Sequence, residues 1–225
     1  MSWYGTRHKS LLAMVLVLGF LASLPFWLKS TSEDRQHLTE RTAARQLVAR
    51  NVGVLDLLPE ERATLQRMLQ PDRHTSETDY EQLVWIKDLS HTIRPWVADD
   101  REAEVIARWV YHYSRRFNLS PELILAVIAV ESRFDHFAVS NVGAVGLMQV
   151  MPFWKEKLGS KDDNLLNIET NIRYGCAILR HYLDRYHSLE RALAAYNGSL
   201  GRKKYPAKVL KAMRRFKAES KTTTG

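Results

Sequence analysis

Cysteine is nearly absent from this sequence, and its scarcity excludes two kinds of structure. Cys176 is the single cysteine in 225 residues, so no disulfide can form within the chain and no zinc site can rest on paired cysteines. Ten glycines and seven prolines are too few for a collagen-like or low-complexity chain. Because hydrophobic residues make up 45% and charged residues 26% of the chain, the composition indicates a folded protein and excludes a polytopic membrane protein.

Acidic residues are absent from the first 30 positions and are outnumbered in the second half. Residues 31–100 contain 9 basic and 13 acidic residues, whereas residues 101–225 contain 21 basic and 12 acidic residues. The net charge of +8 therefore comes mainly from the C-terminal half. A positive electrostatic field of this kind favours an anionic partner, without choosing among lipid headgroups, an acidic polymer and nucleic acid.

The N-terminal segment contains a long uncharged run. Residues 10–28 carry no formal charge, and as a helix rising about 1.5 Å per residue they come close to the ~30 Å hydrocarbon thickness of a bilayer. Arg7 and Lys9 precede the run, which favours a cytoplasmic N-terminus and export of the rest. We predict a signal anchor over residues 1–30, placing the protein in the periplasm and anchored in the cytoplasmic membrane. The alternative is a cleaved signal peptide and a secreted chain.

The segment that follows has the pattern of consecutive helices. Apolar residues recur at helical spacing between residues 36 and 117, and Pro59 and Pro71 fit a first-turn position and a stop. The residues that carry this spacing are Leu65, Met68, Leu69, Leu83, Val84, Ile86, Leu89 and Ile93. Because the segment contains no cluster of chemically active side chains, we interpret it as a helical spacer or support.

The second half begins with a helix that is apolar on every side. Ser120 and Pro121 predict its N-cap and first residue, and the apolar run over 123–130 predicts that it is buried. Further helices are predicted at 152–158, 168–187, 189–196 and 206–219, with Ser188 and Pro206 as start signals. No run alternates with period two strongly enough for a large sheet, so the predicted class is mainly α.

Glu131 comes directly after the buried run. On a helix it shares a face with Ile124, Val127 and Ile128, so we expect its carboxyl group in apolar surroundings. Burial disfavours the charged form and the nearby helix C-terminus acts in the same direction, so both raise its pKa. A carboxylic acid that keeps its proton near neutral pH can donate it to a leaving group. Periodicity alone leaves open that Glu131 is simply the first exposed residue of the helix.

An ordered set of motifs decides between these interpretations. Glu131-Ser132 is followed by S-x-x-G-A-x-G-L-M-Q-x-M-P at 140–152, N-I-R-x-G at 171–175 and A-A-Y-N at 194–197. Together these motifs resemble the catalytic domain of the soluble-type lytic transglycosylases, relatives of goose-type lysozyme, over residues 104–215. The resemblance implies a lysozyme-like helical domain with a groove for alternating N-acetylglucosamine and N-acetylmuramic acid.

The resemblance also implies roles for individual residues. Glu131 matches the family's acid/base, and Asn171 and Gly175 match a structural helix packed behind the site. The residues that match substrate-binding positions are Ser140, Met148, Gln149, Tyr196 and Asn197.

Three positions depart from the family's common pattern. His136 stands where proline is usual, Ile178 where tyrosine is common, and residues 198–201 read Gly-Ser-Leu-Gly in place of alanine-glycine-proline-glycine. These departures concern the subsites and the preferred glycan length, and they leave the acid in place.

The chemistry that the resemblance implies needs one carboxyl group and no cofactor. Most glycosidases use two carboxylates, whereas substrate-assisted enzymes can work with one. Asp135 is the nearest candidate for a second carboxylate, but a loop or cap role is favoured for it. In the family chemistry Glu131 protonates the glycosidic oxygen and then takes the proton of the C6 hydroxyl, which attacks C1 and leaves a 1,6-anhydro end.

Other polar clusters have simpler interpretations. His181, Asp184 and His187 are predicted to form a solvated helix face and not a metal site, since the two histidines project about 120° apart on a helix. Cys176 is predicted to be a small buried hydrophobe. The basic stretch 202–221 is interpreted as a terminal helix packed by its apolar stripe, with binding to the anionic wall or membrane headgroups as the alternative. Nucleic acid is not an expected partner.

The sequence therefore predicts four parts: a signal anchor (1–30), a helical accessory region (31–103), a lytic transglycosylase catalytic domain (104–219) and a disordered tail (220–225). The expected function is cleavage of the MurNAc-GlcNAc β-1,4 bond in peptidoglycan glycan strands. The alternatives are a goose-type-lysozyme-like muramidase that hydrolyses the same bond, and a cell-wall-binding scaffold module with an unidentified envelope-complex partner. Neither a cofactor nor a metal is expected.

Overall fold

Helices make up nearly all of the regular structure. The computed structural model describes residues 57–71, 80–160 and 162–223. These ranges form α1 (Pro59–Met68), α2 (Tyr80–Ile93), α3 (Asp100–Phe117), α4 (Pro121–Glu131), α5 (Pro152–Leu158), α6 (Ile168–Tyr186), α7 (Leu189–Tyr196) and α8 (Lys204–Thr223). Within the same ranges, β pairing is limited to two isolated bridges, Val139 to Val145 and Val145 to Val150. The predicted mainly α class is confirmed.

Local capping signals set where the helices begin. Ser120 Oγ accepts a hydrogen bond from the backbone N–H of Leu123 at 3.3 Å, and Pro121 is the first residue of α4. Ser188 is the N-cap of α7, as predicted. Helix α8 begins at Lys204, slightly before the predicted start at Pro206. Pro206 therefore lies in the first turn, where its missing N–H leaves no helical hydrogen bond unmade.

Helix α4 lies in the centre of the core, as its composition predicts. Its residues from Leu123 to Ile128 expose between 0 and 4% of their surface. Helices α3 and α8 pack against α4, while α6 packs against α1, α3 and α7. Since α4 is enclosed by its neighbours, the residue at its C-terminal end is placed at the boundary between the core and the surface.

Helices α1 and α2 belong to the same hydrophobic core as α4. Leu65 of α1 and Ile86 and Ile93 of α2 are buried in one cluster with residues of α4 and α6. Leu83 and Val84, which contribute to the apolar spacing of α2, are instead 47% and 42% exposed. Apolar spacing identifies a helix, but only packing decides which part of a wide apolar stripe is covered.

A buried ion-pair network ties α1 to α6. Arg173 exposes 1% of its surface, and its guanidinium donates a hydrogen bond to the backbone carbonyl of Leu69 after α1. The same guanidinium lies 3.2 Å from Asp163 Oδ1 and 3.1 Å from Glu169 Oε1. Because a buried charge requires partners, the chain following α1 is an integral part of this network.

Two of the predicted domain boundaries lie within helices. The division between 31–103 and 104–219 falls inside α3, where Ala103 is 1% exposed. Helix α8 continues past residue 219 to Thr223. All described residues lie in one compact unit.

The predicted signal anchor, residues 1–30, lies outside the described residues. None of the helices in the described ranges combines the length and the hydropathy that crossing a membrane requires. The last two residues of the predicted tail, 224–225, also lie outside the described part of the chain.

Candidate active site

Glu131 is the last residue of α4, and its carboxyl group is largely withdrawn from water. The residues on its helix face, Ile124, Val127 and Ile128, are fully buried. Burial raises the pKa of Glu131 to about 7, although a hydrogen bond from Tyr205 acts in the opposite direction. The predicted upward shift of this pKa is confirmed. Near neutral pH, the side chain exists in comparable amounts as an acid and as a carboxylate.

Tyr205 is the partner that sequence reasoning missed. Its phenol donates a hydrogen bond of 2.6 Å to Glu131 Oε1, and the residue is only 8% exposed. Burial, followed by the charge of Glu131, raises the pKa of Tyr205 well above its usual value, so the phenol remains a donor. Tyr205 lies in the first turn of α8, which packs against α4. The only sequence signal at this position was the surrounding basic stretch, which carries no information about a contact with Glu131.

Residues 138–150 form a tight turn. The backbone N–H of Gly146 donates to the carbonyl of Ala138 at 2.8 Å, and Val145 and Val150 exchange two backbone hydrogen bonds. Gly146 has a φ of +75°, and a Cβ built there would lie 2.3 Å from Asn171 Nδ2. Glycine is therefore required at this position both for its backbone conformation and for the close approach of α6.

Asn171 of α6 anchors this turn from behind. Its Oδ1 accepts a hydrogen bond from the backbone N–H of Met148 at 2.8 Å. Its Nδ2 donates to the carbonyls of Val145 at 2.8 Å and Leu165 at 2.7 Å. A buried amide with all of these bonds fixes the loop in one arrangement. The structural role that the resemblance implies for Asn171 is consistent with this geometry.

Three residues matched to substrate-binding positions form part of the turn itself, namely Ser140, Met148 and Gln149. Ser140 Oγ accepts from the backbone N–H of Ala144 at 3.0 Å. Gln149 has a φ of +49°, and its Nε2 donates to the carbonyls of Ala138 and Gly146. Both residues are partly exposed, so they shape the surface of the turn while stabilising it.

Met148 differs from the expectation that its side chain lines a groove. The residue is 0% exposed, and its side chain packs over Gly175 of α6, where an added Cβ would lie 2.4 Å from Sδ. This close packing turns the thioether into the core. The backbone carbonyl of Met148 accepts a hydrogen bond from Tyr196.

Tyr196 and Asn197 bring the end of α7 to the acid and the turn. The phenol of Tyr196 donates to the carbonyl of Met148 at 2.8 Å. Its pKa is raised well above the usual value, first by burial and then by the charge of Glu131, so the two side chains are within electrostatic reach. Asn197 is the C-cap of α7. Tyr196 therefore contacts the turn and lies near Glu131.

A cavity of about 340 Å³ opens beside Glu131. Its lining residues are Val130, Glu131, Asn197, Ser199, Arg202, Lys204, Tyr205 and Lys208. Among these residues, Glu131 is the only carboxylic acid. Asp135 is exposed and accepts a hydrogen bond from the backbone N–H of Phe137 at 2.9 Å, which confirms the predicted loop role. The cavity is therefore lined by a single carboxylic acid, and its raised pKa keeps a large fraction of that acid protonated near neutral pH.

The histidine cluster differs in part from its predicted solvated state. His181 is 7% exposed because α1 packs against α6, and this burial lowers its pKa. His187 and Asp184 are exposed, as predicted. In the described ranges, no three His, Cys, Asp or Glu side chains are arranged to bind a metal ion. Cys176 is fully buried, which confirms its interpretation as a small hydrophobe.

Comparison with known proteins agrees with the motifs. Residues 109–217 match the family model described as the transglycosylase SLT domain. The chain is 40% identical over 105 residues to a transglycosylase of Enterobacteria phage PRD1, a match that covers 44% of this chain and 39% of the relative. It is 36% identical over 86 residues to a membrane-bound lytic murein transglycosylase C of Glaesserella parasuis, covering 34% and 24%.

The chain also has limited similarity to a solved structure. An X-ray structure of the lytic transglycosylase Slt from Pseudomonas aeruginosa is 21% identical, with a TM-score of 0.44, and the match covers 63% of this chain and 31% of that chain. The chain spans less than half the length of each of these relatives. The match to the SLT domain confirms the family resemblance that the motifs indicate.

Proposed function

We propose that this protein is a peptidoglycan lytic transglycosylase with a lysozyme-like catalytic domain, and that Glu131 is its only catalytic carboxyl group. The observation that supports this most strongly is a carboxylic acid with a pKa of about 7 in the wall of an open cavity. The match of residues 109–217 to the transglycosylase SLT domain points to the MurNAc-GlcNAc bond as the bond that is cleaved.

In the first step, Glu131 acts as a general acid. Its proton passes to the glycosidic oxygen as the bond between that oxygen and C1 of MurNAc breaks. A pKa near the working pH keeps a large fraction of the acid protonated and still allows efficient transfer. The Tyr205 phenol, 2.6 Å from Oε1, stabilises the carboxylate that forms and orients it toward the cavity.

In the second step, the Glu131 carboxylate acts as a general base. It takes the proton of the C6 hydroxyl of the same MurNAc, and the C6 oxygen forms a new bond to C1. The products are a 1,6-anhydro end and a free GlcNAc hydroxyl, so atoms and charge balance without water. Glu131 is the only acid lining the cavity, so the substrate's own N-acetyl group stabilises the positive charge at C1.

Asn197 is our candidate for direct sugar contact, because it lines the cavity with Glu131. We assign Tyr196 to the support of the turn, through its hydrogen bond to the Met148 carbonyl, and to the surroundings of the acid, whose charge acts on its phenol. Ser140 and Gln149 shape the side of the groove formed by the turn. Amide and hydroxyl groups of this kind fix the orientation of a bound sugar.

Digestion of purified sacculi by Glu131→Gln protein tests the assignment of the acid. We expect loss of at least a thousandfold in turnover for this variant, whereas Glu104→Gln, a change on an exposed residue of α3, keeps wild-type turnover. Mass spectrometry of the wild-type products identifies the reaction. Anhydro ends support the lytic reaction, reducing ends indicate the hydrolytic muramidase, and sacculus binding without any product indicates a scaffold module.

We also propose that the chain is anchored in the cytoplasmic membrane through residues 1–30 and acts in the periplasm. The proposal is supported by the uncharged run over 10–28 and the basic residues before it, and by relatives named membrane-bound lytic murein transglycosylases. Fractionation of cells tests it, because an anchored protein is released from membranes by detergent and not by 1 M salt, where the Debye length is about 3 Å.

A further inference from the structure

Three cationic side chains line the cavity that contains Glu131. Arg202, Lys204 and Lys208 all line it and are all exposed. Arg202 is positioned by a turn in which its backbone N–H donates to the carbonyl of Ser199 at 2.9 Å. In the described part of the chain, no ion pair joins any of the three to an acidic side chain. We refer to these three residues as the basic rim.

The basic rim is unfavourable for the helix that carries it. Lys204 and Lys208 are one turn apart on α8, and like charges at this spacing destabilise a helix by about 0.2–0.5 kcal/mol. Cations in a first turn also oppose the helix dipole. Six of the eight described helices have an acidic residue in the first turn, whereas α8 begins with a lysine and has none. Local rules are most often broken where function requires it.

The basic rim does not serve to ionise Glu131. The pKa of Glu131 is set by burial and by the Tyr205 hydrogen bond, without a contribution from the three cations. The three cations are exposed and form no ion pair with an acidic side chain of the described residues, so their charges are available to a ligand that occupies the cavity. A concentration of positive charge at a cleft attracts anionic groups.

We infer that the basic rim binds a carboxylate of the peptide carried by the MurNAc residue next to the cleaved bond. This inference rests on the proposed function. The two N-acetylated sugars of the glycan are uncharged, whereas the short peptide linked to the lactyl group of MurNAc has free carboxylates. The rim makes the enzyme selective for glycan whose peptides retain those charges.

The test compares two forms of one substrate. Peptide-bearing glycan strands are used either untreated or after carbodiimide coupling to methylamine, which converts the peptide carboxylates into neutral amides and keeps the peptide. For the wild type we expect kcat/KM to be about tenfold higher on the untreated strands, the effect of three exposed ion pairs. In the triple variant Arg202→Gln, Lys204→Gln, Lys208→Gln we expect that ratio to fall to about one.

Two matched triple variants serve as controls. Arg108→Gln, Lys211→Gln, Arg214→Gln removes the same charge from exposed positions that do not line the cavity, and we expect it to keep the wild-type ratio. Arg202→Lys, Lys204→Arg, Lys208→Arg keeps the rim's charge and is expected to retain most of the ratio. Circular dichroism verifies that all variants fold.

A binding measurement separates this inference from the proposed function. Glu131→Gln protein, with and without the rim substitutions, is titrated with both forms of a soluble peptide-bearing tetrasaccharide. Preferential binding of the carboxylate form that depends on the rim supports the inference, even if the wild type cleaves nothing. The inference is overturned if the wild type cleaves glycan while Glu131→Gln protein binds both forms equally. It is also overturned if the rim substitutions weaken the binding of both forms equally. Either outcome leaves the proposed function standing.

Discussion

The phenol of Tyr205 donates a 2.6 Å hydrogen bond to the carboxyl group of Glu131, although the two residues are 74 positions apart in the sequence. The contact exists because α8 packs along α4. Burial and this hydrogen bond act in opposite directions on the pKa of Glu131. The acid is therefore tuned by two independent features, and each can be changed separately.

Removing the phenol hydroxyl is expected to shift the pH dependence of activity. In Tyr205→Phe the pKa of Glu131 rises above about 7, because the hydrogen bond that stabilises its carboxylate is lost. The limb on which kcat/KM falls with increasing pH then moves to higher pH by about one unit. A pH profile of kcat/KM measures this shift, with Tyr80→Phe, at a residue that is 80% exposed, as control. An unchanged limb would mean that the hydrogen bond does not tune the acid.

The buried acid is expected to make the stability depend on pH. The pKa of Glu131 is about 7 in the folded protein and 4.5 without the fold, so the native state binds the proton more tightly. Its contribution to the free energy of unfolding is highest below pH 4.5 and falls by about 3 kcal/mol as the pH rises to 7. Urea unfolding of the wild type and of Glu131→Gln at several pH values measures it.

The expected decrease in the free energy of unfolding with rising pH is specific to Glu131. Glu131→Gln removes this part of the pH dependence and is more stable than the wild type at pH 8, because no buried carboxylate forms. Glu104→Gln, which changes an exposed glutamate, retains the wild-type dependence. Parallel curves for wild type and Glu131→Gln would show that the carboxyl group is solvated.

Substitutions at two glycines of the turn provide a matched pair of variants that tests how tightly the turn is packed. Both Gly143 and Gly146 have positive φ, but a Cβ at Gly143 meets nothing within 4 Å, whereas one at Gly146 lies 2.3 Å from Asn171 Nδ2. Gly143→Ala is expected to lower the stability by about 1–2 kcal/mol through backbone strain. Gly146→Ala adds a clash with the residue that anchors the turn, so its loss of stability exceeds that of Gly143→Ala by about 2 kcal/mol or more. Equal losses in chemical denaturation would contradict a packed turn.

The first described helix is expected to be part of the catalytic unit. Leu65 is 1% exposed in the shared core, whereas Leu58, just before α1, is 58% exposed. Leu65→Ala is expected to cost about 2–5 kcal/mol and Leu58→Ala less than about 0.5 kcal/mol. Unfolding is followed by tryptophan fluorescence and by loss of activity. If Leu65→Ala leaves the unfolding midpoint of activity unchanged, α1 is a separate accessory element.

Some features follow from short stretches of sequence. The starts of α4 and α7 are determined by Ser120, Pro121 and Ser188, because capping involves only residues three or four positions apart. The enclosure of α4 follows from its uninterrupted apolar run. The apolar run alone left open whether Glu131 is buried or exposed, and the packing around the end of α4 decided that its pKa is raised.

Other features depend on which helices meet. Met148 turns into the core because α6 presents Gly175 to it, and His181 is covered because α1 lies on α6. Leu83 and Val84 remain exposed although they are apolar. In each case the local pattern is compatible with either a buried or an exposed position, and the neighbouring helix decides between them.

The amino-acid sequence by itself determined the helical class, the main helix boundaries and the motifs that bring an acid, a glycine turn and the Tyr196-Asn197 pair into one family. Only the tertiary structure decided that Tyr205 is hydrogen-bonded to Glu131, that the basic rim lines the same cavity, and that α1 and α2 share the core. The physical reason is that periodicity and capping act over a few residues, whereas hydrogen-bond partners and cavity walls depend on the packing of segments far apart in the chain.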